Sequence, residues 1–255
     1  MQRKEPAAPA EIEETGDGRF LLRFSPESLQ PSLDQTARYF GGARYKPSGG
    51  VRARIEQGLA QSRDLVAPRA AVRLVPAQGL DETGGLRLAG ERVFPLSFPE
   101  GEPLPLGLAV VLATLGGDLE TFCRELAHRN KIFESTLHDA AAAAFLDSLA
   151  EACLGQVDIL AGRRGLFPGR RLSPGCDGFP LERQADLFDL VGPQPLGVVL
   201  NESFVMLPVK SISWLNILAD VPGGSRCGKK CSRCALKNCQ FRQGPNAGDD
   251  LKEVG

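Results

Sequence analysis

Residues 169–192 read GRRLSPGCDGFPLERQADLFDLVG, and here the chain changes texture. The first half is a Gly/Pro-rich loop. The second half reads as a helix, with Pro180 expected in its first turn and Gly192 just past its end. Downstream, PLGVVL (195–200) and FVMLPVKSISWLNIL (204–218) carry the β-branched and aromatic content of two or three strands.

Upstream, STLHDAAAAAFLDSLAEACL (135–154) is a long helix whose stripe runs Leu137, Ala141, Ala144, Ser148, Ala152. Small residues at its centre let another element approach closely, so this helix is expected in the core. Before it, LGLAVVLATLGG (106–117) is a buried strand running into a Gly-Gly turn. Asp118 is the expected N-cap of the helix LETFCRELAHR (119–129). The N-terminal part reads as a strand in RFLLRFSPESL (19–29) that turns at Ser25-Pro26, then a helix in SLDQTARYFGG (32–42). GVRARIEQGLAQSRDLVAP (50–68) is a second helix, stopped by Pro68. AAVRLVPA (70–77) and LRLAGERVFPLSF (86–98) read as strands, the latter a hairpin turning at Ala89-Gly90.

These patterns predict one α/β domain over residues 19–220. Residues 1–18, where Arg3 and Lys4 are followed by a stretch rich in Pro, Ala and Glu with no apolar core, read as a disordered leader. A Cys-rich segment (221–243) and a solvated tail (244–255) follow. With 42% hydrophobic and 24% charged residues in 255, the chain has the composition of a globular protein able to bury a substantial core. A formal net charge of -1 argues against a nucleic-acid partner held by overall charge. LPLGLAVVLATLG (104–116) reads as the longest apolar stretch; it is too short for a bilayer and broken by Pro105 and Gly107, so no membrane partner is expected. Nothing at the start reads as a targeting signal, which predicts a cytoplasmic location.

Four of the seven cysteines fall in CGKKCSRCALKNC (227–239), spaced C-x3-C-x2-C-x4-C. In a reducing compartment, clustered thiols point to metal or redox chemistry rather than disulfides. Cys227, Cys231, Cys234 and Cys239 can converge on one centre, either zinc or an iron-sulfur cube. The first three share the spacing of radical enzymes that cleave S-adenosylmethionine, but no barrel sequence follows them. GGSRCGKK nearly spells a phosphate loop, yet Lys230 stands where magnesium needs a hydroxyl. Cys123 and Cys153 lie on apolar helix faces and read as core; His128 and His138 read as solvated.

The segment 170–218 resembles the activation (reactivation) domain of cobalamin-dependent methionine synthase, above all its short stand-alone forms. The residues that carry the resemblance are Arg171, Pro174-Gly175, Pro180-Leu181 and Gln184, then Glu202-Ser203, Met206, Pro208 and Ser211-Ile212-Ser213. ARYFGGARY (37–45), ATLGGDLE (113–120) and the closing CQFR (239–242) are weaker, collinear matches. The resemblance implies an α+β fold with a bent, mainly antiparallel sheet and surrounding helices. It also implies binding of S-adenosylmethionine for the reductive methylation of cobalamin held by a corrinoid methyltransferase partner. A reductant such as a flavodoxin or ferredoxin would supply the electron.

In that light Arg171 offers a planar fork of donors for the ligand's carboxylate, and Ser173 one small polar contact. Pro174 and Gly175 form a turn whose backbone can approach a flat adenine. Cys176 stands where the family has an aromatic residue; within the ligand loop it reads as a small buried hydrophobe, with redox or ligand chemistry the alternative. Glu202 is a candidate for the ligand's amino group, against a structural pairing with Lys210 or a helix cap. An electron relay suits cobalamin reactivation, and the cations around the thiols offset a negative cluster, which places iron-sulfur ahead of zinc. Two other functions remain open: an iron-sulfur electron-transfer or corrinoid-binding protein without the methyl donor, and a zinc-stabilised interaction module.

Overall fold

The computed structural model describes residues 7–222, apart from 90–92, 97, 99–100 and 177. The sheet starts where apolar pattern is weakest. β1 (Glu11–Thr15) pairs antiparallel with β2 (Arg19–Arg23), Glu11 opposite Arg23 and Thr15 opposite Arg19. An edge strand needs one hydrogen-bonded side and little burial, so its charged side chains stay outside, Glu11 within 3.6 Å of Arg23. The expected leader is corrected here: residues 11–15 are strand, stabilised by pairing that composition does not reveal.

After β2 a 3-10 turn at Pro26–Ser28 leads to α1 (Leu33–Gly41), whose first turn is capped by the Ser32 hydroxyl accepting from the Gln35 N–H at 3.4 Å. α2 (Gly49–Arg63) ends before Pro68, because the Leu65 N–H already turns back to the Ser62 carbonyl. β3 (Arg69–Leu80) is long; its far end carries the small strands β4 (Leu86–Leu88) and β5 (Val93–Phe94). β6 (Gly107–Thr114) is buried at every residue, as a central strand covered on both faces must be. α3 (Asp118–His128) has Gly117 rather than Asp118 at its N-cap; Asp118 is its first helical residue.

α4 (Ile132–Gly162) crosses the sheet, and β7 (Phe167–Leu172) follows it. α5 (Arg183–Val191) begins three residues later than Pro180, and Gly192 closes it in the left-handed region. β8 (Val199–Leu200) and β9 (Met206–Leu207) form a separate two-stranded hairpin, and β10 (Ser211–Ala219) returns to the main sheet. Among the described residues eight strands share that sheet, in the order β1-β2-β3-β6-β10-β7 with β4 and β5 off β3. Every ladder along this path is antiparallel, so the α+β class with a mainly antiparallel sheet and surrounding helices holds.

Each face of the sheet is buried. Phe20, Val72, Val111 and Trp214 pack on one side with Phe145, Leu149 and Cys153 of α4. Val110, Leu112, Leu215 and Ile217 pack on the other with Leu187, Phe188 and Val191 of α5. The alanine run of α4 is buried from several directions, since α1, α2 and α3 cover the side that the sheet leaves. Among the described residues α4 alone is long and apolar enough to cross a membrane, and the close packing on it accounts for that composition. His128 is exposed, but His138 is not the solvated residue expected: it is 4% exposed, with Nδ1 2.8 Å from the Ser62 hydroxyl.

Candidate functional site

Arg171 sits on β7, an edge strand that contains a β-bulge. Arg171 pairs with Asn216 of β10 and Pro168 with Leu218, so Gly169 and Arg170 together oppose Ile217. The extra residue reverses which face the strand's side chains take. Leu172 therefore joins the α5 side, while Arg171 turns toward α4. Its guanidinium lies over the Trp214 ring, 4.2 Å from the centroid. The indole N–H donates to Asn216 Oδ1 at 3.0 Å, and Asn216 Nδ2 donates to the Gly169 carbonyl at 3.4 Å. Cys153 of α4 is close enough to feel the Arg171 charge, but burial dominates and pushes its thiol well up, so it stays protonated.

The loop after β7 is closed on itself. The Gly175 N–H donates to the Phe179 carbonyl at 2.8 Å, Cys176 N–H to Ser173 at 3.0 Å, and Phe179 N–H to Cys176 at 2.8 Å. Gly175 takes φ 78, a left-handed conformation that glycine adopts at no steric cost. Phe179 anchors the loop in the core against Phe94, at 6.2 Å between ring centroids. Cys176 is exposed, which corrects its reading as a buried small hydrophobe: Phe179, across the bridge from it, takes the buried place. Ser173 and Pro174 are half-buried.

Gln184, 5% exposed at the start of α5, joins this loop to the next motif. Its Nε2 donates to the Phe204 carbonyl at 3.0 Å, and its Oε1 accepts from the Ser213 hydroxyl at 3.4 Å. The turn it holds is shaped by Asn201, whose Oδ1 accepts from the Ser203 and Val205 N–H groups at 3.0 and 2.9 Å. Glu202 stands exposed on that turn, outside the main sheet. Lys210 pairs with Asp139 at 2.8 Å rather than with Glu202.

The remaining motif residues brace the same end of the sheet. Ser211 donates to the Thr114 hydroxyl at 2.9 Å, and Thr114 accepts from the Gly116 N–H at 3.1 Å. Glu120 accepts from the Val209 N–H at 2.8 Å. Burial, with help from Asp139, pushes the neighbouring Cys123 thiol to about 11. A cleft of about 740 Å³ lies beside Phe188, Gly192 and Val198, at the opposite end of α5 from Gln184 and away from the loop. Among the described residues no group of His, Cys, Asp and Glu could hold a metal ion. Cys227, Cys231, Cys234 and Cys239 lie outside the described residues.

No protein-family model matches the sequence, and no curated protein does. A solved structure does: the crystal structure of the MetH reactivation domain bound to AdoHcy matches with a TM-score of 0.58, over 86% of this chain and 82% of that one. The chain has the fold of that reactivation domain. Sequence identity over the match is 15%, so the likeness is one of fold.

On the reactivation fold, motifs far apart in sequence meet at one end of the sheet. Register places the loop after β7 beside the first half of β10, and Gln184 connects α5, the 201–205 turn and Ser213. Trp214 and Asn216, the support beneath Arg171, did not stand out in the sequence. Alternation along β10 puts both on one face, but nothing local ties that face to residue 171.

Proposed function

We propose that the chain binds S-adenosylmethionine at the loop 171–176 and supports reductive methylation of cobalamin carried by a partner methyltransferase in the cytoplasm. The observation that carries this reading is the convergence of the Arg171 loop, Gln184 and Ser213 on a fold whose solved example holds AdoHcy.

The loop fits such a ligand. Arg171, steadied over Trp214, provides the fork for an amino-acid carboxylate. At Gly175 the closest heavy atom to an added Cβ would be in Leu181, at 3.6 Å, and the residue is exposed, so a flat base can reach the backbone. Ser173 can add a hydroxyl contact, and Glu202, on the turn that Gln184 holds, is the candidate for the amino group. Bound S-adenosylmethionine supplies a methyl group on a sulfonium; the chain's residues supply placement and charge. Cys227, Cys231, Cys234 and Cys239 would hold an iron-sulfur cluster that relays the electron from a flavodoxin or ferredoxin.

Cys176 in place of an aromatic favours a second reading, an electron-transfer or corrinoid-binding protein that has lost the methyl donor. Calorimetry separates the two. S-adenosylmethionine should bind the native chain, and Arg171→Ala should weaken it about tenfold to hundredfold, the loss of a charge-assisted hydrogen-bond pair. No heat with the native chain, or equal affinity in the variant, would favour the second reading.

A further inference from the structure

We infer that Arg69 and Arg23 form an oxyanion site on the α5 face of the sheet, suited to a carboxylate or phosphate group of a small molecule. The site is separate from the Arg171 loop. β6 and β10 lie between β3 and β7, and Arg171 takes the opposite face, toward α4.

Register places the two arginines. On the β2–β3 ladder Arg23 lies opposite Arg69, Leu21 opposite Ala71, and Arg19 opposite Arg73. Alternation puts all six on one face. It is the α5 face, because Leu21 and Ala71 join that core and Arg73 donates to the Leu190 carbonyl of α5 at 2.6 Å. The Phe24 N–H donates to the Pro68 carbonyl, and the Leu74 N–H to the Gly18 carbonyl. Both arginine pairs therefore stand at the non-hydrogen-bonded positions inside these rungs, where facing side chains come closest.

Like charges directly opposite destabilise a ladder. For one pair the fold supplies the remedy: the Asp17 carboxylate lies 3.4 Å from Arg19 and 3.6 Å from Arg73. The other pair has no such bridge. Arg23 meets Glu11 of β1 at 3.6 Å, and Glu13, the next acid on that face, stands opposite Leu21. Among the described residues Arg69 has no ion pair, and its Nε is buried without an acceptor. Arg19 Nε is orphaned in the same way, so the difference between the pairs is the carboxylate. An oxyanion between Arg23 and Arg69 would do there what Asp17 does further along the ladder, since a guanidinium's planar fork matches two oxygens of a carboxylate or phosphate.

NMR of the native chain tests the site without a substitution. Arginine Nε–H signals are followed while succinate or inorganic phosphate replaces chloride at constant ionic strength. The Arg69 signal, assigned by its loss in Arg69→Lys, should shift saturably with at least one oxyanion, at concentrations about tenfold below any chloride response. The tighter of the two probes identifies the ligand class. Signals of Arg19 and Arg73, already bridged by Asp17, should stay in place. In Arg69→Gln, half-saturation read from the backbone amides of residues 20–24 should rise about tenfold or more, the loss of a charge-assisted hydrogen bond. An Arg69 signal that does not move, or that follows chloride equally, overturns the site. Equal shifts at Arg19 and Arg73, or unchanged half-saturation in Arg69→Gln, overturn it as well.

Discussion

A histidine inside a core folds most easily when neutral, because charging it means desolvating a cation. His138 is in that position: its Nδ1 shares a hydrogen bond with Ser62, and its ring meets Phe122 edge-on at 5.0 Å. Burial lowers its pKa from 6.5, and Glu134, one turn earlier on α4, opposes the shift without cancelling it. The sign follows. Below pH 6.5 the unfolded chain takes up a proton that the folded chain refuses, so stability is full above that value and falls as the pH drops through the lowered pKa. His138→Gln keeps a polar partner for Ser62 and removes the titration. Thermal melting from pH 8 to pH 5 should show the native melting temperature falling more steeply below about pH 6.5 than that of the variant. Parallel curves would mean that His138 titrates alike in both states. Nothing local in STLHDAA marks this histidine as buried; its position reads as polar on the helix alone, and the approach of α2 and α3 encloses it.

Elements in this fold are set by how closely backbones approach. Gly107 opens β6 between Pro76 of β3 and Leu218 of β10, and a Cβ there would meet the Val75 carbonyl oxygen at 2.7 Å. A backbone atom in a paired strand cannot swing aside, so the strands themselves would have to part. Gly107→Ala should therefore destabilise by about 1–3 kcal/mol, despite the usual gain from replacing glycine in a strand, as read from the urea midpoint. An unchanged midpoint would show that the sheet gives at this point. Elements with their own periodicity were legible in the sequence: α1, the apolar run of β6, the long α4. β1 and β7 were not, for a common reason. Both lie at sheet edges, with charged or Gly/Pro-containing sequences, and exist because a neighbour supplies their hydrogen bonds. The candidate loop divides the same way. Pro174-Gly175 announces a turn, whereas the bulge and the Trp214 platform depend on register between residues 45 apart in the chain (Arg171 and Asn216).

Charge is distributed unevenly over the whole chain. Its formal net charge of -1 includes Arg226, Lys229, Lys230, Arg233, Lys237 and Arg242, with no acid between Asp220 and Asp249. Those six cations leave the rest of the chain at -7. Four thiolates on a metal centre carry excess negative charge, and cations interleaved with them reduce the cost of deprotonation. Among the described residues the buried positions of the main core run from Phe20 to Leu218 and enclose one another. Metal loading and body fold should therefore separate. Anaerobic purification should yield about four iron and four sulfide per chain, the content of a cubane held by four cysteines. Cys231→Ser should lose that iron, while far-UV circular dichroism of the body stays the same and S-adenosylmethionine still binds. One zinc per chain without iron or sulfide would replace the relay by a structural site, and loss of the body's helical signal with the metal would show that the two halves fold as one.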